Sequence, residues 1–127
     1  MRNAKDDSMI RDFGTIVEII KDVGGKFEMN INKTLENGKL TIAIDGRLDS
    51  TTAPQLQEVL IPAFDEIKEV ELDLTQLVYM SSAGLRVLLM GLKTAKAKGA
   101  FMIVSGVSQE IMEVLGMTGF SDLLTIK

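Results

Sequence analysis

The spacing of apolar positions changes several times along the chain, and each change marks an element. Between residues 12 and 23, Phe13, Ile16, Val17, Ile20 and Val23 recur every three or four positions, with Ile19 beside them. That spacing predicts an amphipathic helix, ended by Gly24-Gly25. At about three turns it is marginal alone in water. Its apolar face must therefore dock, either on its own domain or, alternatively, in a homodimer or partner contact. From Phe27 the period shortens to two: Met29 and Ile31 alternate with polar residues, and after Asn37-Gly38 so do Leu40, Ile42 and Ile44. An Asn-Gly pair between alternating runs predicts a hairpin of strands 27–36 and 39–46.

Residues 46–52 then read as a polar loop. Thr51 or Thr52 is placed to cap the next helix and Pro54 to sit in its first turn. Leu56, Val59, Leu60, Ala63, Phe64 and Ile67 give that helix its period, with a kink or break expected at Pro62. Val70, Leu72 and Leu74 mark a strand, and a short connection leads to Ser81-Ser82-Ala83-Gly84. A second helix runs from there to Lys98-Gly99, with Lys93, Lys96 and Lys98 near its C-terminus, where cations suit the dipole. Phe101 to Val104 reads as a buried strand, Ser108 as the cap of a third helix closed by Gly116, and 123–126 as a last short strand. The order is ββαβαβα with a helix in front and a strand behind. Strands alternating with helices imply an α/β fold with largely parallel pairing. The N-terminal extension with its helix occupies residues 1–25, and one domain occupies 26–127.

Composition narrows the chemistry. The chain has no Cys and no His, which removes thiolate chemistry, the commonest general base and the commonest transition-metal ligand. Only 5% of residues are aromatic and the net charge is -4, a poor match for nucleic acid or anionic membrane. No run reaches the ~20 apolar residues of a membrane span. Charges at Arg2, Lys5, Asp6, Asp7 and Arg11 do not fit a secretory signal, so a cytoplasmic protein is expected. No Gly-x-Gly-x-x-Gly or Gly-Lys-Ser/Thr loop occurs, and Asp45, Asp49 and Asp73 are scattered at strand ends, where turn roles are the default. No cofactor and no enzymatic activity are expected. Most of the eight Met residues, such as Met29, Met90, Met102 and Met112, fall on apolar faces; Met80 or Met117 suits an adaptable surface.

Ser81 and Ser82 stand where a strand hands over to a helix. Capping is the default use of Ser there, because the first helical amides lack internal acceptors. The same amides and the helix dipole also favour an anion, so a phosphate there would disturb the fold little.

The stretch from Asp73 to Leu89, centred on Ser81-Ser82-Ala83-Gly84-Leu85, resembles the STAS (sulfate transporter and anti-sigma antagonist) family of anti-sigma factor antagonists. Gly46-Arg-Leu-Asp49 with Thr52-Ala53, Gly99 to Val104, and Val114 to Phe120 resemble other parts of it, so that the likeness covers about residues 27–127. The resemblance implies a small mixed sheet of four to five strands flanked by helices. It also implies partner switching: the domain binds an anti-sigma factor with serine/threonine kinase activity, loses that binding when one Ser is phosphorylated, and regains it through a serine phosphatase. Aligned on Gly84, that Ser is Ser82, with Ser81 as the alternative. Ser81 and Ala83 stand where many members carry Asp and Ser. The implied partner surface comprises Asp49, Ser50, Thr51, Met80, Ser81, Ser82, Ala83, Gly84 and Arg86. The alternative function within the family is an unswitched subunit or scaffold of a transport or stress-sensing complex.

Overall fold

A computed structural model describes residues 15–21 and 29–127. Its first element corrects the helix expected over 12–23: Thr15–Lys21 is a strand, β1. Five of its seven residues (Thr15, Ile16, Val17, Ile19 and Ile20) are β-branched, which lowers helix and raises strand propensity. A strand β2, Met29–Glu36, offers β1 a full antiparallel ladder, from Thr15 opposite Glu36 to Lys21 opposite Asn30. A homodimer through an N-terminal helix therefore has no helix over these residues to use. Phe13, Val23 and Gly24-Gly25 lie outside the described residues.

The hairpin forms where Asn-Gly places it. Asn37 and Gly38 have φ of 55° and 81°, the two positive values a type I′ turn needs. The second strand, β3 (Lys39–Leu48), runs past the expected end at Gly46. Gly46 takes φ 109° and the pairing register shifts between Gly46 and Arg47, so the chain bulges and continues as sheet to Leu48. Helix α1 spans Ala53–Ala63, with Pro54 in its first turn; Pro62 is accommodated in the last turn and the helix ends one residue later. Strand β4 is Glu69–Asp73, and the connection after it holds an unexpected strand, β5, at Leu77–Met80. Helix α2 (Ser82–Ala97), strand β6 (Phe101–Ser105) and helix α3 (Gln109–Thr118) follow. Helix α3 passes Gly116 and stops at Gly119, whose φ of 80° closes it. A 3-10 turn at Phe120–Asp122 leads to β7, Thr125–Ile126.

The sheet is mixed and seven-stranded, in the order β1-β2-β3-β4-β6-β7, with β5 paired to β3 beyond the bulge. The count exceeds four to five because β1 and β5 join it. Buried residues fall in cross-strand rows: Leu40, Val70 and Met102 form one, and Ile42, Leu72 and Val104 the next. Leu56 and Leu60 of α1, Leu85, Leu88 and Leu92 of α2, and Ile111 and Leu115 of α3 complete this core. Helix α2 meets α1 at Gly91, where a Cβ would lie 2.6 Å from Leu60 Cδ2 and 2.9 Å from Met102 Sδ.

The sheet residues between these rows belong to the opposite face, where Glu71 on β4 meets Lys39 Nζ at 2.6 Å and Lys127 Nζ at 3.6 Å. The Lys39 hydrogen bond, a second one from Ser105 and the Lys127 charge hold the Glu71 carboxyl below its ordinary value. A depressed carboxylate pKa stabilises the fold above the unfolded value, about 4.3 for Glu, and that stabilisation is lost as pH falls through the folded value. Glu71→Gln is therefore expected to flatten the fall of unfolding free energy with decreasing pH below about 4.3, measured by urea titration at a series of pH values. An unchanged acid slope would exclude Glu71 as a contributor.

Candidate functional site

Strands β3 and β5 are parallel, so their C-terminal ends lie side by side. Leu48 pairs with Met80, and the Ser81 N–H donates to the Leu48 carbonyl at 2.9 Å. The chain after β3, Asp49 to Thr52, therefore starts next to a residue bonded to the N-cap of α2. In open α/β sheets this edge, beyond the carboxyl ends of parallel strands, is where ligands bind.

The first loop is built on two side chains. Asp49 Oδ1 accepts from the Thr51 N–H at 3.0 Å and the Thr51 hydroxyl at 2.7 Å, with the Thr52 N–H at 3.3 Å. The Thr51 hydroxyl, followed by the backbone amides of Thr51 and Thr52, pulls the Asp49 pKa down, so the site carries a fixed negative charge at neutral pH. Thr52 is 1% exposed, and its hydroxyl is spent on the loop rather than on capping α1. It donates to the Arg47 carbonyl at 2.8 Å and accepts from the Asp49 N–H at 2.9 Å. Thr52→Val keeps the shape but leaves both backbone groups without that partner. We expect a loss of about 1–3 kcal/mol in chemical denaturation, with Thr52→Ser close to wild type. A loss in Thr52→Ser with none in Thr52→Val would show that the methyl, not the hydroxyl, matters.

The two serines are not equivalent. Ser81 is the N-cap of α2: its backbone is extended and its Oγ accepts from the Ala83 N–H at 3.2 Å. Ser82 is the first helical residue and is exposed, and its hydroxyl has no hydrogen-bond partner among the described residues. Ser50, Thr51 and Arg86 are also exposed, while Asp49 and Ala83 are half-buried. Met80 and Gly84 are buried beneath them. Met80 therefore belongs to the core that supports the site, and it is Met117 that lies on the surface, as does Met112 in part.

Sequence reasoning missed the side of the site built by β5. Val78 is 73% exposed and Tyr79 41%. The Arg47 guanidinium lies 4.3 Å from the centre of the Tyr79 ring, with Nε 3.7 Å from Asp49 Oδ2. Arg47 thus joins an aromatic face to the Asp49 carboxylate. The signal was the four-residue apolar run Leu77-Val-Tyr-Met80, long enough for a short strand. What the edge offers is a mixed surface: a fixed carboxylate, a stacked cation, exposed apolar side chains and, at Ser50, Tyr79 and Ser82, exposed hydroxyls without a hydrogen-bond partner among the described residues. Among the described residues no cluster of three or more His, Cys, Asp or Glu could hold a metal, and no helix is long and apolar enough to cross a membrane.

In sequence and in fold the chain is similar to known proteins. The chain is 30% identical over 105 residues to an anti-sigma-B factor antagonist of Listeria monocytogenes serovar 1/2a, covering 78% of this chain and 90% of the relative. It is 30% identical over 99 residues to an anti-sigma-B factor antagonist of Staphylococcus epidermidis, covering 77% and 92%. Among solved structures, an anti-sigma factor antagonist from Mycobacterium paratuberculosis has the same fold at a TM-score of 0.72 and 16% identity, covering 80% of this chain and 87% of that one. The STAS domain family model matches residues 27–127, and the chain belongs to that family.

Proposed function

We propose that this chain is an anti-sigma factor antagonist that acts in the cytoplasm by binding an anti-sigma factor with serine/threonine kinase activity through the edge formed by Asp49–Thr51, β5 and the first turns of α2. Phosphorylation of Ser82 ends the binding and a serine phosphatase restores it. The chain is then the substrate of an enzyme rather than an enzyme, and residues 26–127 carry the activity. The observation that carries the reading is the division of labour between the serines: Ser81 Oγ is engaged as the helix cap, whereas Ser82 is exposed and its hydroxyl has no partner among the described residues. The names of its 30% identical relatives support the choice of partner class.

The physics of the switch follows from position. A phosphate at the first residue of α2 meets free helical amides and the positive end of the dipole, so the fold tolerates it. It adds roughly 1.5–2 negative charges on the surface that already carries ionised Asp49. A partner that buries this edge must then desolvate a dianion or leave it. The test is to incubate the protein with its kinase-type anti-sigma factor and ATP, and to locate phosphate by mass spectrometry in wild type, Ser81→Ala and Ser82→Ala. Phosphate that disappears only with Ser82→Ala supports the reading. Phosphate that disappears only with Ser81→Ala moves the switch to the cap, and none on any form, with the complex intact, leaves a constitutive binding module.

A further inference from the structure

Helix α2 carries the cations Arg86, Lys93 and Lys96 and no Asp or Glu. In its first turns, residues 82–90, only Ser82 and Arg86 are exposed, and the others are buried or half-buried. The two stand four positions apart, so they are neighbours on one solvent-facing stripe, with Cβ atoms about 5–6 Å apart. Helical side chains lean toward the N-terminus, which carries the Arg86 side chain back over the turn that begins at Ser82. Arg86 has no hydrogen bond or ion pair among the described residues. The residues three or four positions from it in the helix are Ser82, Ala83, Leu89 and Met90, none of them acidic. Ser82 supplies the one hydroxyl in that set, while Ser81, five positions away, falls off the stripe.

We propose that Arg86 is the receptor of a phosphate on Ser82: the guanidinium pairs with the phosphoserine along α2, so that phosphorylation withdraws an exposed cation from the edge as it adds an anion. The inference rests on Ser82 being the residue that is phosphorylated. An anion placed N-terminal to a cation at i,i+4 is the favourable order for such a pair. The planar guanidinium can also give two parallel N–H groups to two phosphate oxygens, a geometry that an ammonium group does not offer. Lys93, the next cation of α2, stands eleven residues from Ser82, about 16 Å along the helix axis, too far to pair with it. Because both partners belong to one helix, the pair needs no movement of the sheet or of the loop after β3. For a partner docking here, a free guanidinium beside a neutral hydroxyl becomes a closed ion pair with about one net negative charge.

Phosphoserine can be inserted at position 82 of the full-length protein during synthesis, through a reassigned codon and without any kinase. Its second ionisation, near pH 6 in an unperturbed phosphoserine, is then followed by phosphorus NMR across a pH titration. We expect that pKa to lie about 0.3 pH units higher in Arg86→Gln than with Arg86 in place, the size of an i,i+4 ion pair, and the difference to shrink at high salt. Arg86→Lys should fall between the two, and Lys93→Gln should match the protein with both cations intact. Circular dichroism checks that each form is folded. The charges of Arg47 and Asp49 at the end of β3 are common to all the forms, so the differences isolate residue 86. An unchanged pKa in Arg86→Gln would overturn the pair. So would an equal rise in Lys93→Gln, which would assign the effect to the general field of α2. A kinase that leaves Ser82 unmodified would refute the switch without altering this titration, whereas an unchanged pKa would refute the pair and leave the switch standing.

Discussion

Ser82→Asp is expected to weaken binding to the anti-sigma partner by about 5- to 150-fold, the range of a 1–3 kcal/mol coupling, while changing stability by no more than about 0.5 kcal/mol. The stability half of this expectation follows from where Ser82 sits. It is the first residue of α2 and exposed, so a carboxylate there meets the favourable end of the helix dipole and displaces no hydrogen bond of the described residues. The binding half follows from charge. Asp49 is already held ionised by the Thr51 hydroxyl and amides, and a second anion on the same edge raises the cost of burying it against a partner. Ser81→Ala should give the opposite pair of results: about 1 kcal/mol of stability lost with the cap, and affinity nearly unchanged. Titration calorimetry at two salt concentrations, with denaturation curves for each variant, separates the outcomes, since a loss due to charge shrinks at high salt. Unchanged affinity for both Ser82→Asp and Ser82→Glu would sink the electrostatic switch. A loss of affinity matched by a loss of stability would reduce Ser82 to a structural residue.

How much of this was legible beforehand depended on how local each signal was. The hairpin was fully written in Asn37-Gly38 and the alternating residues around it, because both turn positions need positive φ. The helix starts at Ser81 and Ser108 were equally local, each marked by an oxygen that one backbone N–H can reach. The segment 15–21 was misread because Ile16, Val17 and Ile20 satisfy a helical spacing while the β-branched composition and the available edge of β2 decide for a strand. A tertiary partner settled what periodicity left ambiguous. Strand β5 was missed for the related reason that four residues with two exposed positions carry almost no periodicity until β3 bulges and reaches them. The Arg47–Tyr79 stack depends on that pairing between segments far apart in the chain, so no local pattern could announce it. Thr52 is the subtlest case. The expected cap residue does stand at the helix start, but its hydroxyl turns to Arg47 and Asp49, because the loop's buried backbone groups need it more than α1 does.

Gly84 tests whether the site is positioned by packing, and its substitution should lower stability and partner affinity together. A Cβ there would lie 2.7 Å from Leu48 Cγ, 2.8 Å from Leu48 Cδ2 and 3.1 Å from Met80 Cγ, all fully or nearly buried side chains at the paired ends of β3 and β5. Glycine thus lets the first turn of α2 sit directly on the strands that carry Asp49 and Tyr79. Gly84→Val gains a few tenths of a kcal/mol in helix propensity. Against that, it forces extra carbons into a closed core, at a cost of about 1–3 kcal/mol or more. We expect a net loss of about 2 kcal/mol, a fall in Tm of several degrees, and reduced partner affinity as α2 is pushed off the β3 and β5 ends. Gly91→Val should lower stability similarly, because it strikes Leu60 and Met102, but that contact lies between α1, α2 and β6, away from the site, so affinity should hold. Leu48→Ala supplies the decisive comparison, since it opens space where the introduced valine side chain would go. If the clash is real, Gly84→Val must cost less in that background than in wild type, a coupling of at least about 0.5 kcal/mol. Strict additivity of the two losses would mean that α2 does not rest on Leu48, and that its first turn must be held on the β3 and β5 ends by something other than this glycine.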